Sequence, residues 1–245
     1  MKMRVLSFFS SHRELIWFLG ISVLMYCVSF MAIYRNFSRV PADRWYYGAE
    51  EYPLDMTGNL AYVQQGIHGA FVSSFNYSTH LGESPSFLKL EYVFLGHLAR
   101  VLAMDPIVMF WISKIALSML LLVVSTVFIR RAVSDSHTRI LAYICSLFGA
   151  SIVIPGFGSN FSDISVFDTL VFVRTSLLTH HYALGAITAL LSLFALSKVF
   201  DRALSNKWFV IALISGFLTS VYYAPNTILV LLSAGVFVVG QGRLS

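Results

Sequence analysis

Residues 107–129 read IVMFWISKIALSMLLLVVSTVFI, twenty-three positions with a single charge, Lys114, closed by Arg130 and Arg131. About 20 apolar residues in helical geometry cross a hydrocarbon core of about 30 Å. Lipid offers the backbone no hydrogen-bond partner, so a run of this kind satisfies its own amides as an α-helix. The whole chain shares the character of this stretch. Of 245 residues 57% are hydrophobic and only 12% charged, against roughly 25% charged in soluble domains. The composition therefore predicts an all-α, polytopic transmembrane helix bundle. The formal net charge of +5 does not point to nucleic acid, because the basic residues stand at the ends of apolar runs and form no continuous stripe. Cys27 and Cys145 both lie inside apolar runs and read as small hydrophobes, not as a disulfide or a metal site.

Working outward, the same reading gives spans at about 15–34, 140–154, 180–197, 208–223 and 225–240, six with the first. The 15–34 run follows Lys2, Arg4 and Arg13, as a signal peptide would. It is longer than a signal core and no small-residue cleavage site follows it, so it reads as a retained helix. The last two runs are separated by Tyr222-Tyr223-Ala224-Pro225-Asn226. A proline and an asparagine there predict a tight hairpin.

Phe87 to Met104 is apolar but carries Lys89, Glu91, His97 and Arg100. Each central charge costs about 2.5–3.5 kcal/mol to insert even on the lenient scale, whereas a helix lying in the interface keeps its charges wet. Leaving this segment outside puts ten Lys/Arg and three acids in the cytoplasmic pieces, and six Lys/Arg and nine acids in the outer ones. That asymmetry agrees with the positive-inside rule. The expectation is six spans with both termini cytoplasmic and an external loop over 35–106, with in-plane helices at about 57–68 and 87–104.

Two external segments carry the polar material. The 35–106 loop is far longer than ordinary connections and is expected to be functional; it holds Asp43, Glu50, Glu51 and Asp55. The second, 155–179, holds Asp163, Asp168 and Arg174 and leads into His180-His181. Lys114 lies about two turns into its helix from the external end, and an intramembrane cation is a functional candidate. Each has a bland reading beside it. Asp55 before a helical stretch is a natural N-cap, Asp43 has Arg44 as a surface partner, and Lys114 can snorkel. Arg174 can pair with Asp168, and adjacent histidines point about 100° apart on a helix, so His180 and His181 rarely share one metal ion. Phosphate-binding loops, nucleotide glycine fingerprints, zinc spacings and internal repeats are absent from the sequence. The Asn-x-Ser triplets at Asn36, Asn76 and Asn160 are glycan acceptors only in a secretory membrane.

Tyr52-Pro53-Leu54-Asp55, then Tyr62-Val63-Gln64-Gln65-Gly66, then Tyr92-Val93-Phe94-Leu95-Gly96-His97-Leu98-Ala99-Arg100, resemble the first external loop of large GT-C-type membrane glycosyltransferases of bacteria. The resemblance implies an enzyme of the inner membrane taking a sugar from a polyprenyl-phosphate carrier, with Asp55 as catalytic base and Asp43 as the second candidate. Membrane lipid is then the other partner, and nucleic acid is not one. Lys114, Arg174, His180, His181, Asp163 and Asp168 are the residues expected to bind substrate. The cofactor is left open: inverting glycosyl transfer needs a carboxylate to take the acceptor proton and cations or a divalent metal to stabilise the leaving phosphate, and no metal site is assigned. The likeness covers the layout of residues 15–240 but about fifty residues of motif. Members of that superfamily have more spans and often a C-terminal extramembrane domain, so the resemblance implies a piece, or a reduced form, of a larger enzyme. Two other classes fit six spans: a transporter or channel subunit with Lys114 and His180-His181 along its pathway, and a non-catalytic scaffold whose large loop docks a partner.

Overall fold

A computed structural model describes residues 13–27, 34–35, 38–41, 43, 53–74, 85–87, 89–148, 180–200 and 206–242, with residues 53–55, 148, 200 and 237–242 by their backbone only. Among these the chain is all-helical. The helices are α1 (13–27), α2 (Pro53–Ile67), α3 (Leu90–Val101), α4 (Pro106–Ala132), α5 (Ser136–Phe148), α6 (His180–Phe200), α7 (Asn206–Tyr222) and α8 (Ala224–Gly242). The extended backbone among the described residues is one antiparallel bridge, Ser73 with Ser86. Two of the helices, α4 and α6, are long and apolar enough to cross a membrane.

The ends of these helices follow from local chemistry. At α4, Asp105 accepts the Ile107 and Val108 amides at 2.8 and 3.2 Å, Pro106 fills the first position where no amide is needed, and Arg130 and Arg131 occupy the last turn, where a cation complements the helix dipole. At α5 the Asp135 carboxylate accepts both the amide and the hydroxyl of Thr138 at 2.7 Å. Those hydrogen bonds hold its pKa below the ordinary aspartate value. Helix α2 begins at Pro53, earlier than the expected 57, because proline suits a first helical turn; Asp55 therefore lies inside that turn and not ahead of it.

Between α7 and α8 the chain leaves helical geometry only at Tyr223. Thr227 donates to the Ser220 hydroxyl at 3.1 Å. Side chains seven residues apart lie about 10 Å apart along an uninterrupted helix, so the chain bends sharply there.

Two cores hold the helices. One gathers Phe18, Ile21 and Met25 of α1, Leu121, Leu122 and Ile129 of α4, Tyr143 and Leu147 of α5 and Ile187 of α6. Buried hydroxyls cross it: Ser22 bonds Tyr143 at 2.8 Å, and Tyr26 bonds Ser118. The other gathers Met56, Tyr62 and Val63 of α2, Tyr92, Val93, Leu95 and Ala99 of α3, and Met109 and Phe110 of α4. Helix α6 is central, touching α4, α7 and α8.

Contacts between distant residues give the molecule two distinct ends. At one, buried Glu14 is bonded by Arg139 at 3.0 Å and approached by Arg130 at 3.7 Å; this joins the start of α1, the close of α4 and the start of α5. Phe194 against Trp208 brings the close of α6 to the start of α7, with Lys198 and Lys207 beside those rings. The opposite end carries α3, the first turns of α4 and α6 and, through Tyr182 against Tyr223 at 4.8 Å, the close of α7.

Candidate functional site

The site begins with the α2–α3 pair. A Cβ on Gly66 would stand 2.0 Å from the Val93 carbonyl oxygen, and one on Gly96 would stand 2.1 Å from that of Val63, so these helices touch backbone to backbone. Further along, His97 Nε2 donates to the Ala70 carbonyl at 2.8 Å and stacks on Phe71. The closest approach of the pair is the crossing of Gly66 on Gly96. Helix α2 closes on Gly69 at φ +95, with Ala70 N–H donating to Gln65 and Gly69 N–H to Gly66; a left-handed glycine is the ordinary residue for this cap. Helix α3 closes the same way on Ala103 at φ 49.

Lys89 stands seven residues before Gly96, about 10 Å along α3 from the glycine contact. Lys89 itself is in the left-handed region at φ 62, a conformation a non-glycine residue adopts at some energetic cost. It aims its ammonium at His181, 3.1 Å from Nδ1.

Around Lys89 the first turns of α3, α4 and α6 meet. Tyr92 is fully buried. Its hydroxyl accepts the His180 amide at 3.2 Å and bonds His181 Nδ1 at 3.1 Å, so it ties the first turn of α6 to α3. The Lys89 ammonium lies within hydrogen-bond distance of both His181 ring nitrogens, 3.1 Å from Nδ1 and 3.4 Å from Nε2. On the other flank the Ser113 hydroxyl lies 2.9 Å from the Phe110 carbonyl and 2.6 Å from His180 Nε2. His180 Nδ1 is buried and without a hydrogen-bond partner. The imidazole packs edge-on against Phe110 at 4.5 Å and Tyr92 at 5.2 Å.

Lys114 is buried at 4% exposure, its ammonium 4.6 Å over the Trp111 ring and 5.8 Å from that of Phe110. Indole faces attract cations, which lets a charge stay inside. Two lysines therefore flank a helix N-terminus, where free amides carry positive charge. The arrangement suits an anion. Burial, followed by the neighbouring Glu91 charge, pushes the Tyr92 phenol well above its ordinary pKa, so it stays a neutral hydrogen-bonding group. Glu91 is itself raised by burial, with its own backbone amide and Lys89 opposing.

Of the residues named from sequence, Lys114, His180 and His181 come together here. The Asp55 side chain, Asp163, Asp168 and Arg174 lie outside the described residues. Asp43 is exposed in a turn. Among the described residues no three His, Cys, Asp or Glu side chains are grouped to hold a metal. Lys89 counted in the sequence only as an insertion cost, Tyr92 only as part of a resemblance motif, and Ser113 as one position of an apolar run; the strongest available signal was a lysine just ahead of a helix beginning Leu-Glu-Tyr. No protein-family model matches the chain, and neither the curated proteins nor the solved structures give a match.

Proposed function

We propose that this chain is a polytopic membrane glycosyltransferase of the GT-C type, moving a sugar from a polyprenyl-phosphate carrier to an acceptor hydroxyl on the non-cytoplasmic side. The observation that carries the reading is the convergence of Lys89 and Lys114 on the first turn of α6. The reading carries with it six spans and cytoplasmic termini, an arrangement that would set Glu14 and its arginines at the inner end. Helix α7 supports a lipid surround: it buries Ala212, Ser215 and Thr219 while Phe209, Leu213, Ile214 and Phe217 face outward. Small and hydroxyl-bearing residues inside with large apolar ones outside is the pattern of helices packed in a bilayer.

In this reading Asp55 takes the proton of the acceptor hydroxyl. The new bond forms between that oxygen and the anomeric carbon, and the bond from that carbon to the carrier's phosphate oxygen breaks. The leaving phosphate keeps the electron pair, and its charge is stabilised by Lys89, Lys114 and the α6 amides. Ten residues down α4 and α6, about 15 Å, an apolar cavity of about 190 Å³ lies between Val124, Val127 and Phe128 on one side and Leu190 and Phe194 on the other. It suits the carrier's hydrocarbon chain. A polar cluster at one end of the helices favours this over a transporter, whose sites lie near the bilayer midplane.

The test is transfer from a polyprenyl-phosphate sugar by purified protein in nanodiscs. Asp55→Asn is expected to lower the rate by about 10²-fold or more, as for loss of a general base, with little change in thermal stability. Lys89→Met and Lys114→Met are expected to weaken binding of the lipid phosphate instead, because a charge-assisted contact is lost. Near-normal transfer by Asp55→Asn rules that residue out as the base.

A further inference from the structure

Helix α3 turns an apolar side away from the protein. Its ionisable neighbours Lys89, Glu91 and His97 are half-buried, Lys89 on His181 and His97 on the Ala70 carbonyl, while Phe94 is 61% and Val101 79% exposed. Seven residues apart, those two stand on one helical face, and His97 lies between them on it. The His97 ring is covered in turn by Phe71, stacked at 4.9 Å and 82% exposed. Leu102, also exposed, extends the patch past the end of α3. Arg100 flanks it, exposed, with its guanidinium beside Gly69. A helix facing water shows the reverse order, with polar residues outward. A contiguous exposed apolar patch marks an interaction surface.

The neighbouring helix indicates what covers this one. Residues 102–105 join α3 to α4, and α4 is long and apolar enough to cross a membrane. Val108 and Ile112, on the first two turns of α4, are exposed as well, so the apolar outer surface continues along the chain from Leu102 onto that helix. Phe110 of α4 stacks on Tyr92 of α3, which holds α3 at the level where α4 would enter lipid. At 12 residues, about 18 Å, α3 is too short to cross the hydrocarbon core itself. We propose that the face of α3 bearing Phe94 and Val101, with Phe71 and Leu102 beside it, is buried in the acyl-chain boundary of the lipid leaflet at this end of the molecule. Arg100 reaches from its flank to the lipid phosphates. The proposal rests on the membrane part of the reading above and not on its chemistry.

Spin labels measure it in a full chain lacking Cys27 and Cys145, reconstituted in vesicles of phosphatidylcholine and phosphatidylglycerol. Labels at Phe71→Cys, Phe94→Cys and Val101→Cys are expected to be relaxed more by oxygen, which collects in lipid, than by a water-soluble nickel chelate. Their depth is expected to be about 5–10 Å below the headgroup boundary. Pro85→Cys, at an exposed position beside the Ser73–Ser86 bridge, is expected to show the reverse order, and Val123→Cys, exposed far along α4, to lie deeper than α3. Preference for nickel at Phe94→Cys and Val101→Cys overturns the proposal. So does protection from both reagents, which would mean that another part of this chain or a second copy covers the face. With Val123→Cys still in lipid, the membrane reading survives either result; nickel preference there overturns both. Phe94→Trp gives a second measurement that needs no label. Its added fluorescence is expected to be quenched more by phospholipids brominated near the headgroup than by those brominated near the chain end, and no quenching overturns the proposal.

Discussion

Glu91 shows how a single residue reports on the packing of the site. It follows Leu90 at the start of α3, beside the buried Tyr92, and burial raises its pKa above the ordinary glutamate value while Lys89 pulls the other way. A carboxyl whose folded pKa exceeds its unfolded one, about 4.3, binds its proton more tightly in the folded chain. Its contribution to stability is therefore fully present below about pH 4.3 and is lost as pH rises through the folded pKa. Glu91→Gln is expected to flatten this part of the pH dependence, so that the variant gains on the wild type at neutral pH and the gap closes under acid conditions. Thermal midpoints across pH 4.5–8.5 check it, and a gap that widens toward acid would show that Glu91 is stabilised as its anion. Lys89, two residues away, illustrates the opposite limit of legibility. Its identity is plain in the sequence, but its left-handed backbone and its contact with His181, ninety-two positions on, arise only when α3 meets α6.

At the scale of elements, Gly66 and Gly96 set the register that makes the site. An alanine at Gly96 would bring its Cβ to 2.1 Å of the Val63 carbonyl and 2.8 Å of Gly66 Cα. Backbone cannot yield as a flexible side chain does, so Gly96→Ala is expected to lose about 1–3 kcal/mol or more and to weaken lipid-phosphate binding by separating Lys89 from α6. Gly20→Ala in α1, where nothing lies within 4 Å, is the control; it is expected to be neutral or to gain up to about 1 kcal/mol from helix propensity. Thermal unfolding of both variants decides the matter, and a Gly96→Ala protein as stable as Gly20→Ala would mean that α2 and α3 are not held in contact. The existence of α2, α3 and α4 follows from hydropathy and from the caps Asp105 and Gly69. The glycine contact between α2 and α3 does not, because a glycine inside an apolar helix reads equally as a weak point or as a crossing.

For the whole molecule, the Glu14–Arg139–Arg130 cluster and the Lys198 and Lys207 contacts collect basic residues at one end, while Lys89, Lys114 and the histidines lie at the other. This separation accords with the charge census that assigns residues 130–139 to the cytoplasm. In a background lacking Cys27 and Cys145, Ser134→Cys is expected to resist an impermeant thiol reagent in intact cells, and Pro85→Cys, at an exposed position beside the Ser73–Ser86 bridge, is expected to label. Labelling of Ser134→Cys with protection of Pro85→Cys would invert the topology and put the two lysines at the inner face.

Hydropathy and charge are summed along the chain, so the sequence by itself determined the helical class, the apolar stretches of α4 and α6 and the basic character of one set of ends. Lys114, His180 and His181 were legible too, since charged or titratable groups in apolar helices stand out against their neighbours. Tertiary structure alone decided that Lys89, Tyr92 and Ser113 join them. Those facts depend on which helix faces meet, and that is set by contacts such as Gly66 on Gly96 and Tyr92 on the first turn of α6, between residues thirty to ninety positions apart. Local composition carries no term for such distances. Packing does.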